Sequence, residues 1–173
     1  MPGFVYKGDL LGTNQSRALR RYTITDSTAL TVGEAVQLTS GKLVVAGAGA
    51  MFLGILCGFE KADGAPVTDN GAGGDFTDTY TTPTSNTVVG IVDISKTSLY
   101  SVTFDGTIGT TTGSDLPGYY ADLVAASNQL DETDTDVTTA QFALHGTDPD
   151  DDAPANSVLC SIFESQIFGP LET

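Results

Sequence analysis

The chain has 173 residues, 40% of them hydrophobic and 17% charged. That composition suits one globular domain with a sizeable core rather than a disordered chain. The formal net charge is −15, and residues 97–173 hold 13 acidic groups and no basic one. Such a surface repels phosphate backbones, which excludes nucleic acid as a partner of the body.

The opening stretch, "MPGFVYKGDLLG", lacks the charged-then-apolar pattern of a secretory signal. Residues 1–21 differ from everything after them. Lys7, Arg17, Arg20 and Arg21 stand against a single acid, Asp9, a net +3, whereas the remaining 152 residues carry −18. "LLGTNQSRALRRY" is neither amphipathic nor alternating. The sequence thus predicts an extended basic N-terminal arm over 1–21, with little core of its own. Residues 22–173 read as a single β-rich domain. Lys7, Arg17, Arg20 and Arg21 are the candidate contacts of the arm with an acidic surface, on a neighbouring copy or on a larger partner.

From Tyr22 the pattern is β. "YTITD" reads as a short strand, and "EAVQLT" and "KLVVA" as a hairpin about a Ser-Gly turn. Residues 43–59, "LVVAGAGAMFLGILCGF", are uncharged for 17 positions. A spanning helix needs about 20 apolar residues, and Gly47, Gly49, Gly54 and Gly58 interrupt this run. Two buried strands joined by a Gly-Ala turn are expected, and no membrane partner. Residues 62–86 form a polar Gly/Thr/Asp loop of a length that is usually functional or mobile. "TVVGIVDI" and "SLYSVTFDG" return as strands. In the second, Tyr100, Val102 and Phe104 point to the core and Ser101, Thr103 and Asp105 to the surface. "LPGYYADLV" follows a Pro-Gly turn and is read as at most one helical turn. "VTTAQFALHG" places Ala140, Phe142 and Leu144 on one face, and "SVLCSIFESQIF" is apolar on both. About eight short strands with long polar loops argue for an all-β barrel or sandwich.

Residues for bond-making chemistry are sparse. His145 is the only histidine, opposite Phe142 and Leu144, and no G-x-S-x-G elbow exists. Cys57 and Cys160 both sit in apolar runs and are expected as buried, reduced thiols, although a disulfide stays open. Two distant cysteines and one histidine do not make a zinc site. Asp148, Asp150 and Asp152 occupy positions 1, 3 and 5 of an EF-hand-like loop. Ala153 and Leu159 stand where the turn glycine and the bidentate glutamate belong, so that reading fails. "GAGAM" lacks the Lys-Ser/Thr ending of a phosphate loop. A glycosidase would need facing carboxylates, and no tryptophan is present to stack a sugar. No metal, no cofactor and no enzymatic activity are expected.

The order of blocks resembles bacteriophage head decoration proteins, also called capsid cement proteins. The similarity runs from a short basic N-terminus through "VGEAVQLTSGKLVVAGAGAMFLGILCGFE" (32–60) and a polar loop to "VVGIVDISKTSLYSVTFDGTIG" (88–109). It continues through "GYYADLV" (118–124) and an acidic Thr/Asp loop to a final "FALHG…NSVLCSIFESQIF" pair. It covers about residues 22–169 and rests on order and texture rather than on an invariant motif. The long 62–86 loop and the ending "SIFESQIF" depart from the pattern. The resemblance implies a structural virion protein, assembled in the host cytoplasm and bound outside an icosahedral capsid. It would bridge subunits of the major capsid protein and associate with itself, as a trimer first and a dimer second. The alternative expectation is a fibre or adhesin module that binds carbohydrate or a host receptor through the 62–86 loop.

Overall fold

The computed structural model describes residues 3–10, 17–25, 28–47, 51–61, 63–65, 67, 79–81, 88–105, 118–124, 128–131, 141–150 and 156–163. Among them the chain forms strands and no helix. In order these are β1 (Val5–Asp9), β2 (Leu19–Thr23), β3 (Ala29–Thr31), β4 (Ala35–Thr39), β5 (Lys42–Val45) and β6 (Gly54–Lys61). They continue with β7 (Thr79–Thr81), β8 (Val88–Asp93), β9 (Ser98–Thr103), β10 (Tyr120–Ala121), β11 (Phe142–Thr147) and β12 (Ser157–Ile162). A first sheet has the order β1-β9-β12-β11-β10, a second the order β2-β8-β6-β4-β5, and β3 pairs with β7. Every pair of named strands is antiparallel. The two larger sheets make a sandwich. The edge strands of the second sheet, β2 and β5, touch at one bridge, Ile24 to Leu43. That sheet therefore curls without closing into a barrel.

Two apolar clusters explain the composition of the strands. One lies between the sheets. The first sheet sends in Tyr100, Val102, Phe142, Leu144, Val158 and Cys160, and the second sends in Ala35 and Ile55. The other lies on the far face of the second sheet, where Val36, Leu43, Leu56 and Val92 meet Ile24 and Leu30. Neighbours Ala35 and Val36, like Ile55 and Leu56, thus enter opposite clusters. A strand buried on both faces loses polar alternation and reads as a continuous apolar run. That is why "FLGILCGFE" contains no polar position before Glu60.

Close packing at the middle of this sheet depends on glycine. A Cβ at Gly54 would collide with the Asp93 carbonyl oxygen and lie 2.9 Å from Val92 Cγ1. The β4–β5 hairpin turns at Ser40 and Gly41, with φ of 51° and 78°. Positive φ at both central residues is the geometry that matches strand twist in a two-residue hairpin.

Several expectations require correction. The described part of the expected 1–21 arm, residues 3–10 and 17–21, packs onto the body. Phe4 is buried, stacked on Phe142 at 4.8 Å between ring centroids, and β1 pairs with β9. β2 begins at Leu19 rather than Tyr22 and pairs residue for residue with β8. The strands exceed the expected eight because β1, β3, β7 and β10 were too short, or too irregular in polarity, to show a period. Residues 118–124 hold no helical turn: Tyr120–Ala121 pair with β11, and Leu123 bridges Leu130. Tyr100, Val102 and Phe104 are buried as expected, but Ser101 on the opposite face is buried too. Most of the 62–86 loop lies outside the described residues.

The Gly54 contact gives a direct test. Gly54→Ala should destabilise the fold by about 1–3 kcal/mol, the usual range for forcing a methyl into a filled space. Urea denaturation would show a lower midpoint with unchanged slope.

Candidate interaction surface

The N-terminal segment supplies the outer strand of both large sheets, β1 to the first and β2 to the second. Each of its four cations has a distinct fate.

Arg17 turns inward between the sheets. Its Nε donates to Asp93 Oδ2 at 2.7 Å, and its guanidinium lies over the Tyr6 ring at 4.2 Å from the centroid. Asp93 is fully buried at the end of β8. Its Oδ2 also accepts from Ser98 Oγ at 2.7 Å and Tyr100 Oη at 2.6 Å, and its Oδ1 accepts from the Ser95 amide at 2.9 Å. A buried carboxylate is tolerated only when paired and fully hydrogen-bonded, and this one is. Burial opposes the charge on Arg17. The hydrogen bond to Asp93 and the neighbouring Cys57, Asp93 and Tyr100 outweigh that and hold its pKa above the ordinary value. Burial, and then the Asp93 charge, push the Tyr100 hydroxyl well above the usual tyrosine range, so it serves as a donor.

Cys57 completes this cluster. Arg17 Nη2 lies 2.6 Å from its sulfur, and the thiol donates to the Ile55 carbonyl at 3.3 Å. Burial raises the Cys57 thiol despite Arg17. Cys160 is buried in the core, which raises its thiol strongly. Both cysteines are free.

Lys7 lies on the outer face of the first sheet. Its Nζ is 2.9 Å from Asp150 Oδ2 and 3.3 Å from Asp148 Oδ2. The three residues border a groove of about 290 Å³ floored by Leu99, Pro149 and Leu159. Burial would raise the Asp148 carboxyl, but hydrogen bonds from Ser101 and the Asp150 amide, together with Lys7, bring it below its ordinary value. Asp148 and Asp150, weighed above as cation ligands, are therefore engaged by an ammonium. No cluster of three or more His, Cys, Asp or Glu able to hold a metal occurs among the described residues.

Arg21 is exposed and pairs with Glu60 at 2.9 Å, with a second bond to the Lys61 carbonyl at 3.3 Å. Arg20 is also exposed. Among the described residues its guanidinium reaches only the Leu19 carbonyl, at 3.4 Å. Three of the four predicted contact residues thus hold their own segment onto the body. The acidic surface they were expected to seek outside is supplied by this chain.

Sequence reasoning missed Asp93, Ser98 and Tyr100 as a unit. The available signal was an aspartate ending the apolar run "VVGIVD", since a charge there must be partnered. His145 is exposed at the bulge of β11, with Nε2 2.9 Å from Ser161 Oγ. Burial alone lowers its pKa. A nucleophile-activating triad would also require a carboxylate on the other ring nitrogen.

Four of the five large apolar side chains exposed among the described residues belong to this segment or its strands: Val5, Tyr6, Leu10 and Leu19, with Tyr119 the fifth. Comparison with protein-family models, curated proteins and solved structures finds no match to the chain.

Asp93→Ala should cost roughly 3–5 kcal/mol, because it strands a partly buried guanidinium. Arg20→Ala should change stability by less than about 0.5 kcal/mol; paired denaturation curves separate the two. For Asp148, the folded pKa is depressed, so its contribution is present above the ordinary value of 3.8 and lost as pH falls through the folded value. The stability difference between the native protein and Asp148→Asn should be clear at pH 7 and shrink below pH 3.8.

Proposed function

We propose that the chain is a structural virion protein, a head decoration or cement protein. It binds the outside of an icosahedral phage capsid and bridges neighbouring major capsid protein subunits. The observation that carries this reading is the concentration of exposed Val5, Tyr6, Leu10 and Leu19 on one segment of an otherwise acidic surface. Exposed apolar side chains gathered on a soluble body mark adhesion. The resemblance in block order to decoration proteins points the same way.

The contact differs in kind from a free basic arm. Lys7, Arg17 and Arg21 are already neutralised by Asp148, Asp93 and Glu60. Shell binding then rests on apolar burial along β1 and the residue that follows it, where Val5 is 56% exposed and Leu10 37%. A capsid repeats its sites, so a protein that bridges two of them gains avidity from contacts that are weak singly. The acidic remainder faces solvent. In this reading the protein works by adhesion and makes no covalent bond.

The test uses DNA-free expanded heads of the encoding phage, stripped of this protein. Purified protein should co-sediment to a fixed copy number per shell. Val5→Asp with Leu10→Asp should lower occupancy at least tenfold while the circular dichroism spectrum is retained. Absence of the protein from a mass-spectrometric inventory of virions, or glycan-array binding without head binding, would overturn the proposal.

A further inference from the structure

The groove on the outer face of the first sheet follows from the ladder beneath it. Leu99 on β9 stands opposite Gly8, and Leu159 on β12 stands opposite Gly146. Residues paired across a ladder share a face of the sheet. Each leucine therefore has a glycine beside it where another residue would supply a side chain. A Cβ built at Gly8 would meet nothing within 4 Å. The result is the hollow of about 290 Å³ floored by Leu99, Pro149 and Leu159. Both leucines stay only half-buried.

The polar groups at the rim do not select a charged ligand. Lys7, Asp148 and Asp150 are engaged with one another, and the Asp150 amide also donates to Asp148 at 3.1 Å. A site for a free small molecule needs polar groups aimed at the ligand to fix its orientation. Here they are aimed at each other, and what the groove offers is apolar surface. That suits a side chain delivered and oriented by its own backbone.

The position of the groove identifies the donor. Val5 and Leu159 are both register partners of Ser101, so they lie on one face two strand spacings apart, about 10 Å. A specific contact covers roughly 800 Å² on each partner, a patch about 16 Å in radius. A surface centred on the exposed Val5 therefore spans the groove as well. Between two copies of this chain, a net charge of −15 on each opposes approach. We propose that the groove receives one large apolar side chain, a leucine, methionine or phenylalanine, from the major capsid protein. This rests on the shell contact proposed above and deepens it: Val5 lies against the shell, and the shell reaches into the groove beside it.

Head-binding measurements on the full chain test it. Leu159→Trp fills the groove from its floor and Leu99→Asp makes the floor polar; each should lower head affinity at least tenfold. Lys42→Trp, on the other sheet, should leave it unchanged. All three positions are partly exposed, and thermal melting shows whether each variant is folded. A second readout needs no substitution. In protein grown with a diazirine analogue of leucine and bound to heads, irradiation should link Leu99 or Leu159 to an apolar stretch of the major capsid protein. Normal head binding by folded Leu159→Trp and Leu99→Asp, or links from these positions only to another copy of this chain, overturns the inference and leaves the proposed function standing. Heads that bind no native protein overturn the function, and the groove assignment with it.

Discussion

The fold depends on one buried carboxylate. Asp93 ends β8, next to the edge strand β2, and begins the crossing from the second sheet to the first, and it gathers donors from both sides of that crossing. Ser95 comes from the turn, Ser98 and Tyr100 from β9, and Arg17 from the segment between β1 and β2. Desolvating a charge is unfavourable by several kcal/mol unless every lone pair is engaged. Here that requirement fixes where the sheets diverge and how the N-terminal segment lies over them. The Gly54 backbone packs against the Asp93 carbonyl, so the same residue constrains β6 through its main chain and β9 through its side chain.

Where the basic residues go changes what their sequence pattern means. A run such as "SRALRRY" in an acidic protein suggests a search for an external anion. In the folded chain the nearest anions are internal, and proximity within one molecule outcompetes an external partner. What the segment leaves for others is apolar: Val5, Leu10 and Leu19, with Arg20 as the remaining cation. A net charge of −15 opposes the close approach of like-charged surfaces.

Much of the fold was legible because its signals are local. The Ser-Gly turn fixed the β4–β5 hairpin, and doubly apolar runs marked β6 and β12. Alternation in "YSVTF" placed Tyr100, Val102 and Phe104 inside. The misreadings have a common cause. "VYKGD" and "LRRYT" are edge strands, and an edge strand keeps polar residues on the side it does not share. Its period is visible only against the partner, and β1 finds that partner on β9. The burial of Ser101 was equally hidden, since Asp148 covers it from another strand's end. The Asp93 cluster draws on segments from residue 6 to residue 100, so no window of sequence contains it.

The β1–β9 pairing joins Val5 to Ser101 across most of a hundred residues of chain. At a synthesis rate of about 5–20 residues per second, β1 waits roughly 5–20 s after leaving the ribosome before β9 exists to receive it. During that delay the segment's cations face a nascent chain whose acid-rich half is not yet made. Topology of this kind, rich in distant pairings, folds slowly.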